Sequence, residues 1–243
     1  MVGETMTVMP DSVALNLPEE WTDIPLEEDE YRTFTESQVQ LLKDTGDWKP
    51  AELRQVELLM AIAFQAARQS RVMIASSYAA VEQAEAEDDE DIFLMAGLIV
   101  SGLRRDEIDT DVPLRAELLA KVFAEGVPSD DRRARYDHIE PPSVCEIAGY
   151  KAAKLLRLVS TPTDPGQEFK QFTQSYLVSV ADGDAVIVLQ FSTINFEFAR
   201  EFSELFERIA QTLRILYPDD PTFLDDESSD DGRSDAADRH AAE

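Results

Sequence analysis

The sequence predicts an α+β domain built on an antiparallel β-sheet. Three observations carry that expectation. In "QSYLVSVADGDAVIVLQFS" (residues 174–192), apolar residues alternate on both sides of Asp182-Gly183, a dipeptide suited to a two-residue type I′ hairpin. "DIFLMAGLIVSGL" (Asp91–Leu103) is apolar on both faces, as a covered central strand is. Phe198, Phe202, Leu205, Ile209, Leu213 and Leu216 then recur at helical spacing directly after the hairpin.

The elements follow in chain order. "LPEEWTDIPLE" (Leu17–Glu27) holds Pro and Trp in a short extended segment and reads as an edge strand. Two helical patterns come next, and the second puts Leu53, Val56, Met60, Phe64 and Ala67 on one face, with Pro50 in its first turn. "SRVMIASSYAAVEQAEAE" begins as a strand, and the acidic run Glu85–Asp91 after it reads as a solvated turn. "DTDVPLRAELLAKVFAEGV" is expected to be a helix, with Asp111 as N-cap, Pro113 in the first turn and Gly126 ending it. "PSDDRRARYDHIEPP" reads as a polar loop with room for a short strand, and two extended pieces flank Ala148-Gly149. The hairpin turn sets Val180 opposite Ala185, Val178 opposite Ile187 and Tyr176 opposite Leu189. Leu177, Val186 and Val188 point the other way and are apolar too, so the sheet needs cover on both faces. Asn195 is the expected cap of the last helix, with Glu197 in its first turn.

"LPEEWTDIPL", "CEIAGYKAAKLLRL", the Asp-Gly hairpin and "VLQFSTINFEFAREFSELFERIAQTLRI" together resemble the PsbP/Mog-like family, which includes DcrB-like and LpqN-like proteins. The resemblance spans Leu15 to Tyr217. It implies an antiparallel β-sheet flanked by helices on both faces, an α/β/α sandwich. It also implies a binding, adaptor or chaperone role rather than catalysis. The helical stretch at about 29–70 is long for the family and reads as an insertion. The expected organisation is a disordered stretch over 1–14, one α+β domain over 15–217 and a disordered acidic tail over 218–243.

Charge bounds the partners. The chain has 243 residues, 22 basic and 50 acidic, for a net charge of −28. Such a surface repels nucleic-acid phosphates and anionic membranes and favours a basic protein partner. One cysteine, Cys145, allows no internal disulfide, which fits a reducing cytoplasm. The first residues lack the basic start and apolar stretch of a signal peptide, and the longest apolar run, Ile92–Val100, is too short to span a bilayer. The expected location is therefore cytoplasmic, with no membrane insertion.

Catalytic chemistry finds little to work with. There are two histidines, His138 and His240, and no phosphate-binding or nucleophile-elbow motif. No metal, cofactor or catalytic residue is expected. A Cys145–His138 pair is read as unrelated residues, Cys145 being a small apolar residue at a strand start. The acidic piece around Gly232 lacks the flanking helices of a calcium loop. Arg104 and Arg105, and Arg132, Arg133 and Arg135, sit beside acidic residues and are read first as ion-paired.

The expected function is a non-enzymatic protein-binding adaptor or chaperone, for a secretion system or another assembly. Its candidate contact residues are Phe196, Phe198 and Phe206, since the last helix has more aromatics than one face needs, together with Arg132, Arg133 and Arg135. Self-association through the N-terminal helical stretch is a further partner class. The alternative is a small-ligand pocket between sheet and helices, with Tyr176, Trp21 or Tyr150 on its rim.

Overall fold

The computed structural model describes residue 10 and residues 12–45, 71–82, 92–108, 110–125, 135–164 and 167–217, with helical positions 50, 53, 54, 57, 60 and 61. The strands are β1 (Ser12–Ala14), β2 (Trp21–Asp23), β3 (Arg71–Glu82), β4 (Ile92–Arg104), β5 (Arg135–Ile147), β6 (Tyr150–Asp164), β7 (Gln167–Val180), β8 (Ala185–Thr193) and β9 (Arg214–Leu216). The helices are α1 (Glu28–Thr45), α2 (Ala116–Glu125) and α3 (Ala199–Ala210). Seven strands form one antiparallel sheet in the order β2-β3-β4-β8-β7-β6-β5, and β1 pairs with β9 in a second, two-stranded sheet. This is the α+β class the sequence predicts.

Both faces of the large sheet are covered. On one face Leu98, Val100, Tyr176, Val178, Ile187, Leu189 and Phe191 meet Phe202, Phe206 and Ile209 of α3. On the other, α2 sets Ala120 against Ala153, Leu155, Leu177 and Val186. A third cluster joins Leu42 of α1, Met60 and Met95. Alternation along the strands makes this possible, since neighbouring residues of β7 and β8 serve opposite faces. The edge-strand expectation at Leu17–Glu27 is met by β2, whose Trp21 stacks on Tyr78 of β3 at 6.2 Å.

The β7–β8 hairpin has the expected register, Val180 against Ala185, Val178 against Ile187 and Tyr176 against Leu189. The connection is one of four residues rather than two: Ala181 (φ 50°), Asp182 (φ 54°, ψ 24°) and Gly183 (φ +92°) are all left-handed, and Asp184 returns to the right-handed region. Asp184 N–H closes it on the Ala181 carbonyl at 3.0 Å.

Five element boundaries differ from the sequence reading, each for a tertiary reason. Helix α2 starts at Ala116, not after an Asp111 cap, because Leu114 N–H is spent on the Gly183 carbonyl (2.8 Å). Gly126 and the acidic positions 85–91 lie outside the described residues. The segment read as a polar loop contributes the start of β5, paired with β6 through irregularities between His138 and Ser143. Asn195 does not cap α3; its side chain is buried and accepts Met95 N–H at 2.8 Å. A 3₁₀ turn, Phe196–Phe198, comes first and α3 begins at Ala199. The last helix ends at Ala210; Leu213 lies in the turn that follows, its N–H on the Ala210 carbonyl, and Leu216 belongs to β9, where Ile215 pairs with Val13. That pairing also makes Ser12–Ala14 a strand, within the stretch expected to be disordered.

Glycine at position 183 is required twice over. Its φ is left-handed, and a Cβ there would lie 2.8 Å from Leu114 N and 2.9 Å from Pro113 Cβ. Gly149 shares the positive φ (+85°) but has open space around it. In urea unfolding, Gly183→Ala is expected to cost about 2–4 kcal/mol. Gly149→Ala should cost only about 1 kcal/mol. Equal losses would show that the contact with Pro113 and Leu114 is immaterial.

Candidate functional site

The β5–β6 and β7–β8 turns lie at the same end of the large sheet, and the N-terminal end of α2 lies against them. Between them opens a groove of about 930 Å³. Pro113, Ala116 and Leu118 line it from the α2 side, Gly149, Tyr150 and Lys151 from the β5–β6 turn, and Ser179 and Asp182 from the β7–β8 hairpin. Val112 also borders it and is 53% exposed. The groove stands where it does because Gly183 admits Pro113 and Leu114 so closely.

Charges of both signs surround this apolar strip. Arg115 and Glu117 stand on the α2 side, Lys151 and Asp182 on the hairpin side. Lys151 Nζ donates to Glu117 Oε1 at 2.9 Å. That hydrogen bond holds the exposed Glu117 carboxyl below its usual range. Nearby, Arg105 pairs with Asp184 at 3.0 Å, and Arg104 Nε meets Asp106 at 3.1 Å. Both arginines are thus ion-paired, Arg104 with a sequence neighbour and Arg105 with the distant β7–β8 turn.

The residues expected to bind a partner do not converge. Phe206 is fully buried, stacked on Phe191 at 4.8 Å, so it has no surface to offer; the expectation for it is corrected. Phe198 is half-buried against the same core, and Phe196 is 40% exposed at the start of α3. Arg132 and Arg133 lie outside the described residues, and Arg135 opens β5. The alternative rim does not assemble either. Tyr176 is fully buried beneath α3, and Trp21 is buried at the β2 edge. Tyr150 alone borders the groove, while its ring packs against the α3-side core.

Cys145 and His138 share β5 but not a site. Cys145 packs against the α3-side core, and burial pushes its thiol up, away from the thiolate a nucleophile needs. His138 Nε2 lies 3.1 Å from the Phe123 carbonyl of α2. No group of three or more potential metal ligands exists among the described residues, and none of their helices is long and apolar enough to cross a membrane.

A buried polar network joins α3 to the sheet. Ser203 Oγ donates to Gln174 Oε1 at 2.6 Å, and Gln174 Nε2 donates to the Tyr176 hydroxyl. Lys154 Nζ lies 5.8 Å from the Tyr176 ring centroid and 3.0 Å from Glu207 Oε2. Every one of these groups has a partner within the domain, so the network clamps a helix rather than facing a substrate.

No family model matches the chain, and no curated protein matches it. Among solved structures it is similar to LpqN, involved in cell envelope biogenesis of Mycobacterium tuberculosis, at 12% identity and a TM-score of 0.39, over 86% of this chain and 85% of that one. It is also similar to cyanobacterial PsbP (CyanoP) from Synechocystis sp. PCC 6803, at 13% identity and a TM-score of 0.34, over 58% of this chain and 86% of that one.

Burial raises the Tyr176 hydroxyl far above the ordinary range of a phenol, with the Glu207 charge adding to the effect. A raised folded-state value favours the neutral phenol. Its contribution to stability is complete below the unfolded value, near pH 10, and is lost as pH rises above it. Unfolding free energy should therefore fall steeply in alkali. Tyr176→Phe should make that fall shallower above pH 10, as read by urea titrations at fixed pH. An unchanged alkaline slope would remove Tyr176 as its source.

Proposed function

We propose that this chain is a non-enzymatic protein-binding module, an adaptor or chaperone, and that it receives a short apolar segment of its partner in the groove at the hairpin-tip end. The single observation behind this reading is the groove itself: open, about 930 Å³, and built from Val112, Pro113, Ala116 and Leu118 with paired charges at its rim. Apolar floors ringed by polar groups are how protein interfaces concentrate binding energy. A solvent-exposed Val112 beside it extends the apolar area a partner would cover. The net charge of −28 supports a basic partner, drawn in by the long-range field and seated by the apolar contacts.

Val112 is exposed enough to carry a photo-crosslinking residue without disturbing the core. In cells, p-benzoylphenylalanine at position 112 is expected to trap one dominant protein. Leu118→Arg should abolish that product, while Arg200→Glu, on the outer side of α3, should leave it intact. Thermal unfolding of both variants should match the parent. Two outcomes defeat the reading. One is a product insensitive to Leu118→Arg. The other is a metabolite that raises Tm in the parent and not in Leu118→Arg, which would make the groove a small-ligand site.

A further inference from the structure

Strand β5 ends the large sheet among the described residues, so one side of its backbone faces away from β6. Such a row of N–H and C=O groups is a template for another strand. Its polarity follows from the hairpin. Ile147 pairs with Tyr150 across the two-residue turn Ala148-Gly149. A tight turn of this kind is flanked by a hydrogen-bonded pair, and bonding alternates from there. Ser143 and Cys145 therefore turn their backbone groups to β6, while Val144 and Glu146 turn theirs outward.

Two features already occupy that outward edge. Pro141 and Pro142 sit within the irregular stretch between Glu140 and Ser143 and have no N–H to offer. At the other end stands Gln211, the residue just past α3. Its Nε2 donates to the Glu146 carbonyl at 2.9 Å, and its Oε1 accepts Ala148 N–H at 2.9 Å. Those are the groups an added strand would bond at that end of β5. A carboxamide presents the same donor and acceptor as a peptide unit. Gln211 is held in place by its own N–H to the Glu207 carbonyl (3.0 Å) and by Ala210, fully buried before it.

We infer that Gln211 is a strand mimic, which closes the β5 edge against antiparallel pairing with the same edge of a second copy of this chain. The occupant it excludes is a second copy because Ile139 and Val144, 54% and 45% exposed on this strand, would gain cover from a two-fold β5–β5 pairing. Asp137, Glu140 and Glu146 on the same strand oppose such pairing by charge, so the plug matters most where salt screens them. The inference is independent of the groove, which lies on other residues.

Gln211→Met keeps the length of the side chain and removes both hydrogen bonds. In the full chain it is expected to speed amide exchange at Ala148 by about tenfold or more. At about 0.5 M salt it should also produce concentration-dependent association beyond that of the parent in sedimentation velocity. Adding Val144→Lys, a charge on the exposed edge, should return the sedimentation profile to that of the parent while Ala148 exchange stays fast. Gln211→Glu, which keeps the acceptor and adds charge, should sediment like the parent. If Gln211→Met sediments like the parent at every concentration, the inference fails, even if Tm falls, because Gln211 would then be only a clip on the hairpin. Unchanged exchange at Ala148 overturns it as well.

Discussion

The seating of α3 on the sheet is the constraint from which the rest of this structure follows. Phe206 lies parallel to Phe191 at 4.8 Å, Phe202 tilts against Phe206 at 5.6 Å, and Tyr176 meets Phe191 edge-on at 6.4 Å. Phe202, Phe206, Ile209 and Leu213 are all buried there. Burying each contributes about 1.5–3 kcal/mol, which no isolated helix of this length obtains from its own backbone. Apolar contact alone would let the helix slide or roll. The Ser203–Gln174–Tyr176 network supplies the direction, because a buried carboxamide and phenol lose their partners if the helix shifts. With α3 fixed, its end is fixed, and so are the β9 pairing with β1 and the reach of Gln211 to the β5–β6 turn.

What was legible in the sequence was whatever depended on local pattern. Residues 174–192 carried the hairpin and its register, because Asp182-Gly183 suits left-handed backbone and apolar residues alternate on either side of it. Strand β4 was legible because both of its faces are buried, and α3 because Phe202, Phe206 and Ile209 share a stripe. Boundaries failed where a side chain or an amide had a distant use. Asp111 and Asn195 both look like helix caps, yet Leu114 N–H goes to Gly183 and the Asn195 carboxamide goes to Met95. Leu213 and Leu216 continue a helical period by coincidence, since Leu213 is buried in the turn after α3 and Leu216 lies in β9. The groove was not legible at all. Its lining comes from three segments between residues 112 and 182, brought together by contacts distant in sequence: the β6–β7 pairing, Leu114 on Gly183 and Lys151 on Glu117.

Side-chain carboxamides stand in for backbone at two strand ends. Strand β8 pairs with β4 as far as Thr193 opposite Ala96 and then departs. Asn195 Oδ1 takes up Met95 N–H, and Thr193 Oγ1 donates to the Met95 carbonyl at 2.6 Å. Gln211 does the equivalent at the β5 edge. The two sites differ in what they protect. Met95 is buried, so its unpaired amide would carry the full cost of desolvation. The Gln211 bonds are exposed to water, so their loss costs the fold little, and their consequence is an edge that presents fewer free groups to another chain.

Among the described residues, helices pack on both faces of the large sheet, the β2 edge is three residues long, and the β5 edge carries prolines and Gln211. At the proposed groove, charge acts at two ranges. At physiological salt the Debye length is about 8 Å, so the net charge of −28 guides a partner's approach but does not choose its final contacts. Within the groove Lys151 already answers Glu117, and Arg115 and Asp182 are of opposite sign, so the local field is nearly balanced. Under the proposed function, a basic partner is attracted by the whole surface, yet held by how well an apolar segment fits between Pro113, Leu118 and the two turns. Mutations of remote carboxylates and mutations of the groove should for that reason act on different kinetic steps, the first on the association rate and the second on the dissociation rate.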